Sequence, residues 1–182
     1  MKQKITLTEK IIIPSRVPDI LPLEFHHLKN NVIKNYSYDE KVSDHPYLSL
    51  RKYYNLTPDK NLQWVHDFVI HHMAGLHKTQ LRVVASYGII LFTNQYLEYH
   101  QHVDELRPNE SPDYTCLVAI NVGEKPVEVK FKYDTTRNKN LFGKKLLKKK
   151  DILLLSSDIP HSISTNYNEE PTILLSLQYF KI

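Results

Sequence analysis

His100, His102 and Asp104 form the most informative group of side chains in the sequence. Alternate side chains of a β-strand point to the same face, so a strand here would project two imidazoles and one carboxylate together. Such groups are costly to bury unless something binds them, and a divalent metal ion is the simplest partner. The spacing therefore predicts a metal site. A polar strand that faces solvent is the alternative interpretation.

A third candidate ligand, His161, follows much later in the chain. The segment 151–161 is typical of a buried apolar strand that ends in a turn and then delivers the histidine. Two histidines and one carboxylate are the ligand set of non-haem Fe(II) centres, which leave adjacent coordination positions open for other ligands. Because these residues are far apart in sequence, the fold must bring distant strands together. A solvated turn histidine is the alternative here.

Together, the two segments resemble the metal-binding motifs of the iron(II)- and 2-oxoglutarate-dependent oxygenases, including prolyl-hydroxylase-like members. Residues 99–104 are similar to the Tyr-x-x-His-x-Asp segment of that family. Residues 151–166 are similar to its distal motif, an acidic-apolar strand, a serine turn, the second histidine and a strand that ends near an asparagine. The resemblance extends over roughly residues 87–180, about half of the chain.

This resemblance implies a double-stranded β-helix (jelly roll) with Fe(II) held by His102, Asp104 and His161. It also implies an enzyme that couples oxidation of an unidentified substrate by dioxygen to decarboxylation of 2-oxoglutarate, a small-molecule co-substrate. His100 would lie in the second coordination shell or line the pocket. No catalytic residue beyond the metal ligands is implied.

The anchor for 2-oxoglutarate departs from the family pattern. The family usually places an arginine or lysine shortly after the distal histidine, and here Thr172 occupies the best-aligned position. A buried carboxylate without a charged partner is costly. Lys130 or Lys132 could supply the charge from a neighbouring strand, and Tyr99 or Tyr114 could add a hydroxyl. The predicted cofactor-binding residues are thus Tyr99, Lys130, Lys132 and Thr172.

Two alternatives stay open. A cupin-like metal-binding protein would use His100, His102 and His161 with Glu105 or Glu110, although the glycines typical of cupin motifs are absent. The missing arginine also allows a non-catalytic jelly-roll protein with a structural or assembly role, including that of a virion component.

The elements that must position these residues are mainly strands that follow two helices. A strand within residues 4–13 is expected to end at Pro14. Helices are expected over Leu23–Ile33 and, capped by Thr57, up to Leu76, with a loop over Tyr36–Leu56 between them. Short runs rich in branched and aromatic residues then predict eight strands, 80–85, 87–92, 95–102, 114–122, 127–133, 151–156, 161–165 and 172–180.

The helical part of the sequence carries further histidines. His66 and Asp67, with His71 and His72, lie on the second predicted helix. Their pattern is similar to the His-Asp pair of phosphohydrolases, but the other ligands of such a site are not recognisable, so a solvated helix face is the preferred interpretation. Cys116 lies in an apolar run, where a buried thiol is expected to be inert.

Bulk properties favour one intracellular domain. The 182 residues are interpreted as a single domain, with a strand and supporting helices in 1–78 and the jelly-roll core in 79–182. No apolar stretch is long enough to span a membrane, no signal peptide is visible, and one cysteine forms no internal disulfide, so a cytoplasmic location is expected. The net charge is +4, and the lysine run at 144–150 is interpreted as a solvated turn rather than a nucleic-acid site. A homo-oligomer or larger assembly is compatible with the sequence.

Overall fold

The computed structural model describes residues 10–18, 25–34, 54–56, 58–103, 106–134, 138 and 140–182. Strands dominate these residues, with two α-helices before most of them and a short 3-10 helix at Pro108–Glu110. In chain order the elements are β1 (Ile12–Arg16), α1 (Phe25–Lys34), β2 (Tyr54–Asn55), α2 (Lys60–His77), β3 (Leu81–Leu91), β4 (Leu97–His100), β5 (Tyr114–Asn121), β6 (Val127–Tyr133), β7 (Leu141–Leu147), β8 (Asp151–Ser156), β9 (His161–Ile163) and β10 (Thr172–Lys181).

Two antiparallel sheets form the architecture. The large sheet has the order β1-β8-β5-β10-β3-β2, and the small sheet has the order β4-β9-β6-β7. Side chains from both sheets meet in one apolar cluster, so the sheets pack face to face. The prediction of a mainly β jelly roll with helices near the N-terminus is confirmed.

Strand β5 shows why its apolar run folds as it does. Leu117 and Ala119 point into the space between the sheets, whereas Cys116, Val118 and Ile120 point to the face that the helices cover. Both faces of the strand are therefore buried, which explains a continuous apolar run instead of an alternating one. The burial of Cys116 agrees with the expected inert thiol, because burial raises the pKa of its thiol.

Strand β10 lies at the centre of the large sheet, where it pairs with β5 and β3. Its alternation assigns Leu175, Leu177 and Tyr179 to the helix side and Leu174 to the space between the sheets. Thr172, Ser176 and Gln178 share the face of Leu174, so this strand delivers polar side chains to the interior between the sheets.

Two predicted element boundaries in the N-terminal part are wrong. Strand β1 continues through Pro14 to Arg16, because β1 is an edge strand and the missing N–H of proline faces away from the ladder. Helix α2 begins one residue after its cap Asp59, whose carboxylate accepts hydrogen bonds from the backbone N–H groups of Asn61 and Leu62. Thr57, the predicted cap, lies outside the described residues.

The number and bounds of the strands also differ from the prediction. The runs 80–85 and 87–92 form one long strand, β3, and Tyr54–Asn55, predicted as loop, pairs with it. The lysine run is not simply a turn, because its first half belongs to strand β7 at the edge of the small sheet. Residues 4–9 and 36–53, which carry part of a predicted strand and most of a predicted loop, lie outside the described residues. None of the helices that the structure describes is long and apolar enough to cross a membrane.

Candidate metal centre

Three histidines converge at one end of the space between the sheets. His100 ends β4 and His161 begins β9, and the two are direct cross-strand partners. His102 follows β4, where its backbone N–H donates a hydrogen bond to the carbonyl oxygen of Ser157 at 3.0 Å. One ring nitrogen from each histidine lies within 4.8 Å of the others, so the three side chains could hold one metal ion.

The predicted carboxylate ligand Asp104 lies outside the described residues, as does Glu105, and ligation by Asp104 stays a prediction. Glu110, the other glutamate of the cupin-like alternative, lies in the 3-10 helix, where it is exposed and forms an ion pair with Arg107 at 3.3 Å. The described part of the centre therefore consists of imidazoles.

Backbone carbonyls determine which nitrogen of two rings can bind a metal. His100 Nδ1 lies 2.8 Å from the Glu98 carbonyl oxygen, and His161 Nδ1 lies 3.0 Å from that of Ile159. A carbonyl only accepts, so Nδ1 carries the proton in both rings and Nε2 keeps its lone pair. His161 Nε2 is buried and has no hydrogen-bond partner among the described residues. An orphaned lone pair inside a cluster of imidazoles fits a metal ion.

The third ring, His102, is held by the strand across the interior. Its Nδ1 lies 3.0 Å from the side-chain amide nitrogen of Gln178 on β10. Rotation of that amide presents its oxygen instead, which would accept a hydrogen bond from Nδ1–H and leave the lone pair of His102 Nε2 for a metal ion. Such partners orient metal-binding histidines and fix their tautomer.

Burial keeps the cluster neutral. Desolvation, with smaller contributions from the neighbouring histidines, lowers the pKa of His102 to about 3. Desolvation also lowers the pKa of His161 to about 4, and it lowers the pKa of His100. Neutral imidazole is the form that binds metals, so the cluster is ready to bind at neutral pH without first losing protons.

Apolar side chains line the interior next to the cluster. Phe131 on β6 is the cross-strand partner of both His161 and Gly143. A β-carbon at position 143 would overlap the Phe131 ring, so this glycine makes room for the ring beside the histidine. Aliphatic residues from both sheets fill the remaining space behind it, including Leu117, Leu153, Leu155, Val129, Ile163 and Leu174.

Three predicted cofactor-binding residues lie apart from the histidines. Lys130 and Lys132 alternate with the inward-facing Phe131, so they lie on the outer face of the small sheet. Lys130 forms an ion pair with Glu128 at 3.5 Å, and the Lys132 ammonium lies 4.5 Å from the centroid of the Tyr99 ring. The structure does not bring these side chains together with the histidine cluster, and their role in binding a co-substrate stays a prediction.

The fourth predicted position, Thr172, shares the interior face of β10. Its hydroxyl and that of Ser176 are buried and have no hydrogen-bond partner among the described residues. No lysine or arginine in the described part of the chain is buried. Ser176 and Gln178 were not predicted from the sequence, although the period-two pattern from Thr172 onward would have placed both on one face.

Of the comparisons with known proteins, the one with solved structures identifies the fold. No family model matches the sequence, and no match was found among curated proteins. HygX from Streptomyces hygroscopicus, solved with nickel, 2-oxoglutarate and hygromycin B, superimposes with a TM-score of 0.64 over 94% of this chain and 82% of its own, at 13% identity.

Two further solved structures give the same result. SnoK, a non-haem α-ketoglutarate-dependent carbocyclase from nogalamycin biosynthesis, has a TM-score of 0.63 over 94% of this chain and 79% of its own, at 10% identity. AviO1 from Streptomyces viridochromogenes Tue57 has a TM-score of 0.60 over 93% of this chain and 89% of its own, at 9% identity. At these identities the likeness establishes the fold, which is that of the 2-oxoglutarate-dependent non-haem oxygenases.

Proposed function

We propose that this chain is an Fe(II)-dependent oxygenase that uses dioxygen and 2-oxoglutarate. The observation that carries the proposal is the buried lone pair of His161 Nε2, which faces two further imidazoles at one end of a jelly roll. Two of the three histidines, His102 and His161, belong to the ligand set that the sequence motifs imply, and Asp104 is proposed as the carboxylate ligand. The solved structures with the same fold include one with nickel and 2-oxoglutarate bound, which supports this choice.

The residues of the chain would prepare the metal for this chemistry. Bound Fe(II) would supply the reaction with dioxygen. His161 and His100 present Nε2 because backbone carbonyls hold their Nδ1 protons, and Gln178 orients His102. Phe131 and the aliphatic residues behind it would limit the access of water to a bound ion, which would strengthen electrostatic interactions there.

The co-substrate would be held mainly by the metal and by hydroxyl groups. Ser176 and Thr172 offer buried hydroxyls on the interior face of β10 that could donate to a carboxylate. No buried cation faces them among the described residues, and hydrogen bonds from neutral donors are weaker than charge-assisted ones. We therefore expect weaker binding of 2-oxoglutarate than an arginine anchor would give. For the primary substrate we propose a small molecule, as in the HygX complex.

The test is anaerobic reconstitution with Fe(II) and 2-oxoglutarate. We expect a weak visible charge-transfer band, and formation of succinate once air is admitted. The variant His161→Ala should lose the band and the thermal stabilisation by Fe(II), which for metal at a thousand times its Kd is about 4 kcal/mol. His77→Ala, an exposed histidine on α2, is the matched control and should behave as wild type. Metal binding without band or succinate would reject the oxygenase proposal.

A cupin-like metal-binding protein is the second candidate. Two observations favour it, the presence of His100 in the cluster and the lack of a buried cation for a dicarboxylate among the described residues. Such a protein would bind a divalent metal through the three histidines and ignore 2-oxoglutarate. Fe(II) binding that is unchanged by 2-oxoglutarate would select this candidate.

A further inference from the structure

We infer that His100 is a direct metal ligand, so that the centre contains three imidazoles instead of the two that the sequence motifs imply. This inference deepens the proposed function and rests on its metal-binding part. It does not depend on 2-oxoglutarate or on turnover. The ligand atoms of His100, His102 and His161 lie within 4.8 Å of one another.

The ring positions match three ligands around one ion. With metal–nitrogen distances of about 2.1 Å, imidazoles directed at one ion place their ring centroids about 4.6 Å apart at right angles and about 5.3 Å apart at tetrahedral angles. The observed centroid distances are 4.4 Å for His100 and His161, 5.1 Å for His100 and His102, and 5.2 Å for His102 and His161. All three pairs agree with adjacent coordination positions, so His100 is placed as closely as the two expected ligands.

The backbone also holds His100 in the form of a ligand. His100 is the cross-strand partner of His161, so the pairing of β4 with β9 fixes the separation of the two side chains. Its Nδ1–H donates to the Glu98 carbonyl, as Nδ1–H of His161 donates to that of Ile159. A metal-binding histidine almost always donates its other ring N–H in this way.

A third imidazole ligand affects which ligands bind at the remaining coordination positions of the metal ion. Imidazole is neutral, so it occupies a coordination position without reducing the charge of the ion. The remaining positions should therefore favour anionic ligands such as carboxylates. Metal attraction of this kind would partly replace the buried cation that is absent among the described residues.

The decisive measurement is the number of imidazole ligands on Fe(II), obtained from X-ray absorption of the anaerobically loaded protein. We expect three in the wild type and two in His100→Gly, where added imidazole should restore the third and recover the lost Fe(II) affinity. We expect the affinity loss in this variant to be at least tenfold. The control is His77→Ala, since a glycine at this position would weaken α2. This variant should leave both the number of imidazole ligands and the Fe(II) affinity unchanged.

The outcomes separate this inference from the proposed function. Two imidazoles in the wild type, together with formation of succinate, would overturn the inference and leave the oxygenase proposal standing. Three imidazoles without succinate would support the inference and reject the oxygenase. If His100→Gly does not fold, the wild-type count alone decides the question.

Discussion

Strand β10 separates the three-histidine cluster on one of its faces from the single buried histidine His66 on the other. On its interior face, Gln178 contacts His102 of the metal cluster. On the opposite face, the next residue, Tyr179, contacts His66 of helix α2. His66 and His161 are both almost completely buried, at 4% and 1% exposure, and desolvation lowers the pKa of each to about 4. Burial and pKa alone therefore do not distinguish the two groups.

The hydrogen bonds do distinguish them. His66 Nδ1 lies 2.9 Å from the Tyr179 hydroxyl, and His66 Nε2 lies 2.8 Å from the Ser86 hydroxyl, so both ring nitrogens have partners. His161 has a partner for Nδ1, whereas its Nε2 has none among the described residues. A completed network joins α2 to the large sheet, and an incomplete one leaves a lone pair for a ligand.

The largest predicted difference between the two faces of β10 is a loss of Fe(II) affinity on substitution of Gln178. Substitution of Gln178→Leu removes the partner of His102 Nδ1, so the ring loses its orientation and Fe(II) affinity should fall about 10- to 100-fold. The free energy of unfolding of the metal-free protein should fall by less than the loss of a partner of the buried His66 would cause, because Gln178 and His102 are both only half-buried. Calorimetric titration with Fe(II) under nitrogen, beside urea unfolding of the metal-free protein, measures both quantities.

Gln178→Glu is the matched variant for this prediction. A carboxylate accepts a hydrogen bond from the Nδ1–H of His102, as the amide oxygen of Gln178 would after rotation, so Fe(II) affinity should return to at least the wild-type value. Equal loss in both variants would show that Gln178 only fills space, and a loss of metal-free stability in Gln178→Leu as large as the loss of a His66 partner would cause would assign it to the structural network.

A smaller effect is expected at the neighbouring residue Tyr179, and it concerns the free energy of unfolding instead of Fe(II) affinity. Tyr179→Phe leaves His66 Nδ1 buried without a partner, which should lower the free energy of unfolding by about 1 to 3 kcal/mol and leave Fe(II) affinity unchanged. Tyr114→Phe is the control, because Tyr114 pairs with Tyr179 across the sheet and is buried in the same core, but does not contact His66. Equal destabilisation by both variants, measured by urea unfolding, would contradict the network.

The sequence predicts much of the fold because its information is local and periodic. Branched and aromatic runs locate the strands of the jelly roll, and apolar spacing locates both helices. Local patterns do not reveal whether proline lies on an edge strand, so the predicted end of β1 at Pro14 was wrong. Strand β7 was not predicted because part of the lysine run belongs to it, and an edge strand that carries lysines resembles a solvated turn in sequence.

The site was predictable only where its residues are close in sequence or match a known motif. His100 and His102 were identified by strand alternation, and His161 by the turn before it. Their convergence depends on the pairing of β4 with β9, which no local pattern encodes. His66 was interpreted as part of a solvated helix face and is buried instead, because its partners Tyr179 and Ser86 come from distant strands. Only the tertiary structure shows which histidine has a complete set of partners.

The smallest predicted effect is the pH dependence of stability that His66 causes in its network with Tyr179 and Ser86. Desolvation lowers the folded-state pKa of His66 to about 4, and the nearby charge of Asp67 opposes this shift by a smaller amount. The unfolded-state pKa is about 6.5. Between these values the unfolded state binds more protons, so stability falls as the pH drops below about 6.5 and stops falling near pH 4. From pH 7.5 to 5.5, His66 should contribute a loss of about 1.4 kcal/mol.

The comparison that isolates this contribution is His66→Gln. Glutamine can keep hydrogen bonds to Tyr179 and Ser86 but does not titrate. Between pH 7.5 and 5.5 the metal-free variant should therefore lose about 1.4 kcal/mol less stability than the metal-free wild type. His77→Gln, on the same helix but exposed, should keep the wild-type pH dependence. The histidines of the metal cluster are the same in all three proteins, so their titration cancels in the comparison. An unchanged pH dependence in His66→Gln would mean that His66 is as accessible to protons when folded as when unfolded, and the contrast between the two faces of β10 would then rest on the metal site alone.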